Sequence, residues 1–99
     1  MSAIASRTQP CVLFVKTDDH FSQQAIADLG VLGYSGIKVN QIDQVFSVIE
    51  EHQPELLIID RKLAGKSTDS VCLKIRQDGN RTPILLLLDK ENLEDRVAV

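Results

Sequence analysis

No stretch of this 99-residue chain approaches the roughly 18 consecutive apolar residues that a membrane-spanning helix requires. Residues 1 to 10 are mostly polar and lack the apolar core of a secretory signal, so the expected setting is the cytoplasm. Positive charge is scarce as well: 11 Lys and Arg against 14 Asp and Glu leave a net charge of -3, with the basic residues scattered along the chain. That distribution gives no footprint for direct nucleic-acid binding by this segment. Cysteine is limited to Cys11, which opens an apolar run, and Cys72, which falls on the apolar stripe of a predicted helix. Both read as buried free thiols in a reducing compartment rather than as a disulfide or a metal pair. Glycine is missing from Lys16-Thr17-Asp18-Asp19-His20-Phe21, the turn after the first apolar run, and no GxxxxGK[ST] occurs anywhere. Without those glycines a pyrophosphate has no close approach to a helix start, which excludes the common dinucleotide and nucleoside-triphosphate sites. The two histidines, His20 and His52, stand near predicted helix ends, where solvated or capping roles suit them better than catalysis. No nucleophile and base can be paired, so the chain is not expected to be an enzyme.

What is present is alternation. With 43% hydrophobic and 25% charged residues, the chain suits one domain with one core. Residues 1 to 10 read as a disordered lead, because they carry little apolar mass. Cys11-Val12-Leu13-Phe14-Val15 is a continuous apolar run, as expected of a strand buried on both faces. Phe21, Ala25, Ile26, Leu29 and Leu32 form a helical stripe, with Asp18 and Asp19 as capping candidates and Gly33 closing it. Gly33 to Gly36 is a predicted loop and Ile37-Lys38-Val39 a short strand; Asp43 is the candidate cap of a helix carrying Val45, Phe46, Val48 and Ile49. Leu56-Leu57-Ile58-Ile59 is a third strand that stops at Asp60. Ser67, Thr68 and Asp69 offer caps for a helix with Val71, Cys72 and Ile75 inward, ended by Asp78-Gly79-Asn80. Ile84 to Leu88 is the fourth strand, and Leu93 and Val97 start another helical stripe. Crossovers of this length require parallel pairing, so the expected class is α/β, a doubly wound parallel sheet with helices on both faces. Asp60 then lies at the carboxyl edge of the sheet, where open α/β folds place their sites.

These segments carry a resemblance. Val12 to Val15, Leu32-Gly33-Tyr34, Pro54 to Asp60, Leu63-Ala64-Gly65, Lys74-Ile75-Arg76, Thr82 to Leu85 and Glu94 to Ala98 follow one another as in the receiver domain of bacterial response regulators. The chain is most similar to the OmpR/PhoB class. The resemblance implies the flavodoxin-like receiver fold over residues 11 to 99, truncated after the fourth strand and the start of the fourth helix. Family receivers have acids after the first strand, a phosphate-accepting Asp after the third, a Ser or Thr after the fourth and a Lys after the fifth. On this chain Asp60 matches the phosphoacceptor. Lys62 matches the residue whose backbone carbonyl helps hold Mg²⁺. The acidic pair falls on Lys16 and Thr17, unless a two-residue slip brings Asp18 and Asp19 there. The switch hydroxyl falls on Leu88, which has none. Leu63-Ala64-Gly65 replaces Leu-Pro-Gly, and Thr68 stands where a Gly is usual.

The departures matter chemically. Phosphoryl transfer to a carboxylate adds an anion beside existing ones, and Mg²⁺ gathered by carboxylates offsets that charge. A lysine at about 5 Å, with an effective dielectric near 20, repels Mg²⁺ by roughly 6 to 7 kcal/mol. A millimolar site is worth only about 4 kcal/mol, so no Mg²⁺ site is expected. Lys16 is expected to form an ion pair with Asp60 in place of the metal; the other role open to Asp60 is a strand-end acid capping a loop. Leu88 cannot report phosphate by hydrogen bonding. Three functions follow from the resemblance. The first is a pseudo-receiver that acts by protein contact on an attached DNA-binding output, without Asp phosphorylation and with no cofactor. The second is a conventional Mg²⁺-dependent receiver partnered by a histidine kinase, with Asp18 completing the metal site. The third is a scaffold fragment with no switch. A receiver ending at its fourth strand would expose an apolar edge and self-associate.

Overall fold

Two of the continuous apolar runs, with no polar face to turn to water, occupy the middle of the sheet. β1 (Cys11–Val15) and β3 (Leu56–Asp60) are the central strands, flanked by β2 (Ser35–Val39) and β4 (Ile84–Leu87) in the order β2-β1-β3-β4. All three pairings are parallel, with Leu13 opposite Ile37 and Leu57, and Leu57 opposite Ile84. Every residue of β1 is buried. The computed structural model describes residues 9–88. The predicted helix start at Leu93 and Val97 and most of the predicted lead lie outside them. Pro10, assigned to that lead, belongs to the sheet edge, since its carbonyl accepts from the Ser35 N–H at 2.8 Å.

Helices cover both faces. α1 (Asp19–Val31) lies over Val12, Phe14 and Ile58, presenting Ala25, Ile26 and Leu29. α2 (Val45–His52) and α4 (Ser67–Gln77) lie over the other face, where Val45, Val71 and Ile75 join Leu13, Val15, Leu57 and Ile59. A one-turn helix, α3 (Arg61–Ala64), links β3 to α4 and buries Ala64 in the same cluster. Strand, helix, strand alternation with parallel order is the doubly wound α/β class expected from the sequence. Among the described residues no helix is long and apolar enough to cross a membrane.

Several local expectations are corrected. β2 begins at Ser35, two positions before Ile37, because Ser35 and Gly36 pair with Cys11 and Val12 despite having no apolar side chains. Leu32 is the C-cap of α1 rather than part of its buried stripe, and it is exposed. Asp43 lies inside a 3₁₀ turn, Ile42–Gln44, and caps nothing; α2 starts without a side-chain cap. Ser67, Thr68 and Asp69 are the first residues of α4 rather than its cap, which is Lys66. β4 ends at Leu87, not Leu88. Both cysteines are free, but only Cys11 is buried and Cys72 is half-buried. Burial pushes both thiols above the ordinary range; for Cys11 a hydrogen bond with Ser35 opposes the shift, and for Cys72 the Arg76 charge does.

Gly36 marks the place where α1 comes nearest to β2. A Cβ added there would stand 2.5 Å from Ile26 Cγ1. Gly36→Ala is therefore expected to cost about 1–3 kcal/mol by forcing α1 off the sheet. Urea unfolding measures it, and in an Ile26→Ala background, which removes Cγ1, the added methyl should cost less.

Candidate functional site

Parallel strands end together, so the carboxyl ends of β1, β3 and β4 bring Lys16, Asp60 and Leu88 to one edge. Asp60 is the last residue of β3 and pairs with Leu87; Leu88 follows and is half-buried. The Asp60 backbone is extended at φ -86° and ψ 106°, and α3 begins immediately after it. Its Oδ1 accepts a hydrogen bond from the Leu63 N–H at 3.2 Å, which makes Asp60 the N-cap of that turn. Gly65 closes the turn at φ +64°, a conformation that costs a glycine little, and its N–H donates to the Arg61 carbonyl at 2.8 Å. Arg61 pairs with Asp69 at 3.0 Å, fastening α3 to the first turn of α4. Lys62 is exposed on α3.

Lys16 follows β1 with φ +52°, left-handed backbone that is uncommon for a side-chain-bearing residue. Its N–H donates to the Val39 carbonyl on β2 at 2.9 Å. The expected Lys16–Asp60 ion pair is not formed: among the described residues Lys16 has no acidic partner. The Asp60 carboxylate serves the Leu63 N–H through Oδ1 instead. Thr17 is buried and its hydroxyl has no hydrogen-bond partner; the Thr68 hydroxyl is in the same condition.

The slipped acid pair is committed elsewhere. Asp18 is the N-cap of α1, its Oδ2 accepting from the Phe21 N–H at 3.0 Å. Asp19 forms an ion pair with Lys38 of β2. Neither that pair nor Arg61–Asp69 was anticipated, since a bond across 19 or 8 positions leaves no periodic trace. The capping role of Asp18 was legible, because an acid two residues before the helical stripe is a start signal.

The residues at this edge do not fit Mg²⁺. The acid-pair positions hold an ammonium and a buried hydroxyl, and Asp18 and Asp60 each cap a helix. Among the described residues no three His, Cys, Asp or Glu side chains cluster as metal ligands. What the arrangement does is hold β3, α3 and α4 in register. Asp60→Ala should therefore lower stability by about 1 kcal/mol, and Asp60→Asn, which keeps an acceptor, by only a few tenths. Equal losses in the two variants, read by urea unfolding, would contradict the capping role.

The architecture is similar to that of proteins with a response-regulator receiver. A receiver-modulated diguanylate cyclase from Pelobacter carbinolicus has the same fold, with a TM-score of 0.52 and 21% identity over 90% of this chain and 91% of that one. The sequence supports the same class: the chain is 29% identical over 86 residues to the response regulator protein GraR of Staphylococcus epidermidis, in each of two strains. The match covers 87% of this chain and 38% of GraR, so the chain spans well under half the length of those relatives. No family model matches the chain.

Proposed function

We propose that this chain is a degenerate receiver that regulates through protein contacts, independently of phosphorylation at Asp60. The observation that carries the reading is that Lys16 and Thr17 stand at the positions of the acidic pair while the Asp60 carboxylate caps a helix. An Mg²⁺ ion has no carboxylate cradle here, and Leu88 offers no hydroxyl to follow a phosphoryl group. With the chemical input removed, a partner protein selects the conformation instead. That partner is a regulatory protein or a histidine kinase, and the setting is cytoplasmic. The domain would comprise residues 11–99, with no cofactor and no catalytic activity of its own.

The similarity to response regulators of more than twice this length supports an attached output in the parent protein. We assign it to the DNA-binding type of the OmpR/PhoB class, on the likeness of Glu94 to Ala98 to that class. Among degenerate receivers the chain resembles the non-bleaching response regulator of cyanobacteria, which would direct its output to light-harvesting antenna breakdown under stress. Taken apart from its parent, the segment is expected to self-associate through the β4 edge, where Leu85 is half exposed.

Replacing Asp60 with Asn in the parent protein tests the reading. Regulated output within about twofold of the unmodified protein is expected. Loss of regulation equal to that caused by deleting residues 11–99 would overturn it and favour the conventional receiver.

A further inference from the structure

The turn that leads from α4 into β4 lies at the amino edge of the sheet, away from Asp60, and its acceptors are taken up internally. The Asp78, Gly79 and Asn80 N–H groups donate to the Lys74, Arg76 and Ile75 carbonyls at 3.0, 3.0 and 3.1 Å, which closes the end of α4. Gly79 permits the reversal at φ +86°. Asn80 Oδ1 accepts from both the N–H and the hydroxyl of Thr82, at 2.7 and 2.6 Å. The Asn80 and Thr82 carbonyls both accept from Arg76 Nη1, each at 2.9 Å.

What remains at the turn is donors. A hollow of about 430 Å³ is lined by Arg76, Gly79, Asn80 and Arg81, with no acid in its wall. The two bonds from Nη1 fix the Arg76 guanidinium, and among the described residues its Nε and Nη2 donate to nothing. Arg81 is exposed and has no acidic partner among the described residues. The Asn80 side chain is held by its oxygen, which leaves its amide as a neutral donor. Asp78 does not offset the two arginines, because it is paired with Lys74 at 3.6 Å and borders other hollows.

We infer that this hollow is a binding site for a phosphate group, held by the Arg76 and Arg81 guanidinium groups with the Asn80 amide as a third donor. A planar guanidinium meets phosphate oxygens in pairs, and a doubly charged anion neutralises both arginines where a carboxylate neutralises one. Arg76 is held in place before the ligand arrives, so binding orders fewer groups. The group arrives either as free phosphate or on a phosphate ester, and the chemistry of recognition is the same. It is held without a covalent bond and at the opposite edge from Asp60, so the inference stands apart from the phosphorylation question.

The test uses the full 99-residue chain, labelled with ¹⁵N and titrated with inorganic phosphate, phenyl phosphate, acetate and chloride at matched ionic strength. Expected are saturable shifts concentrated at residues 76–82 with the phosphates, and affinity at least fivefold weaker in Arg81→Gln, whose exposed side chain leaves the core intact. Tighter binding of phenyl phosphate would assign the site to an ester, and tighter binding of inorganic phosphate to the free ion. Absence of saturable shifts, equal shifts with acetate or chloride, or unchanged affinity in Arg81→Gln would each overturn the inference. So would shifts centred on Lys16 and Asp60, since the anion would then sit at the other edge of the sheet.

Discussion

Phe14→Ala is expected to lower stability by about 3–5 kcal/mol and to leave much of the protein unfolded near 37 °C. Phe14 has no exposed surface and is the fourth of five residues in the central strand β1, on the face covered by α1. Its ring meets Phe21 of α1 edge to face, with centroids 6.2 Å apart and planes at 65°. Removing it takes away burial and leaves a cavity that α1 cannot fill, because Ile26 is already held against Gly36. A domain of this size has little stability to spare, with 5–15 kcal/mol typical of larger domains as well. Phe21→Ala provides the contrast. That ring is 39% exposed, so its loss removes partial burial and the aromatic pair, about 1–2 kcal/mol. Urea midpoints for the two variants should therefore fall far apart. A Phe14→Ala cost near that of Phe21→Ala would mean that α1 does not pack over β1.

The second large effect is a gain of metal binding. Lys16→Asp with Thr17→Asp restores two carboxylates beside Asp60 and removes the ammonium that would repel Mg²⁺ by several kcal/mol before screening. The left-handed backbone at position 16 suits Asp better than Lys, because a short polar side chain tolerates that region. Without metal, the double variant should be less stable than the unmodified protein, since it places a carboxylate at the buried Thr17 position and adds like charge near Asp60. Mg²⁺ should then restore stability by linkage: with a Kd on the order of 1 mM, 10 mM Mg²⁺ adds about 1.4 kcal/mol. The unmodified protein should show no such gain, with Ca²⁺-free buffer of matched ionic strength as the control. Lys16→Asp alone answers the same question if the double variant fails to fold. Equal stabilisation of both proteins by Mg²⁺ would contradict the reading of the edge.

The contrast between what was legible in the chain and what was not has physical causes. β1 and β3 were readable because central strands covered on both faces are continuously apolar, as Cys11 to Val15 and Leu56 to Ile59 are, and β4 carries the same kind of run although it is an edge strand with Leu85 half exposed. β2 was read two residues short, because Ser35 and Gly36 join by backbone pairing and by the close approach of Ile26, neither of which leaves an apolar signal. The one-turn α3 is too short to show a helical period; its traces are an acid at Asp60 and a left-handed Gly65 at its ends. At the site, the meeting of Lys16, Asp60 and Leu88 at one edge followed from strand ends alone. Of the two roles left open to Asp60, an ion pair with Lys16 or the cap of a loop, the structure shows the cap, on the Leu63 N–H.

Asp60 is proposed not to receive phosphate. The most direct measurement is the intact mass of the protein after exposure to a small-molecule phosphodonor with Mg²⁺, beside Asp60→Asn and a competent receiver treated identically. No phosphate adduct is expected on this chain while the competent receiver is modified. An adduct on the unmodified chain that disappears in Asp60→Asn would contradict it and make the domain a working phosphorylation switch.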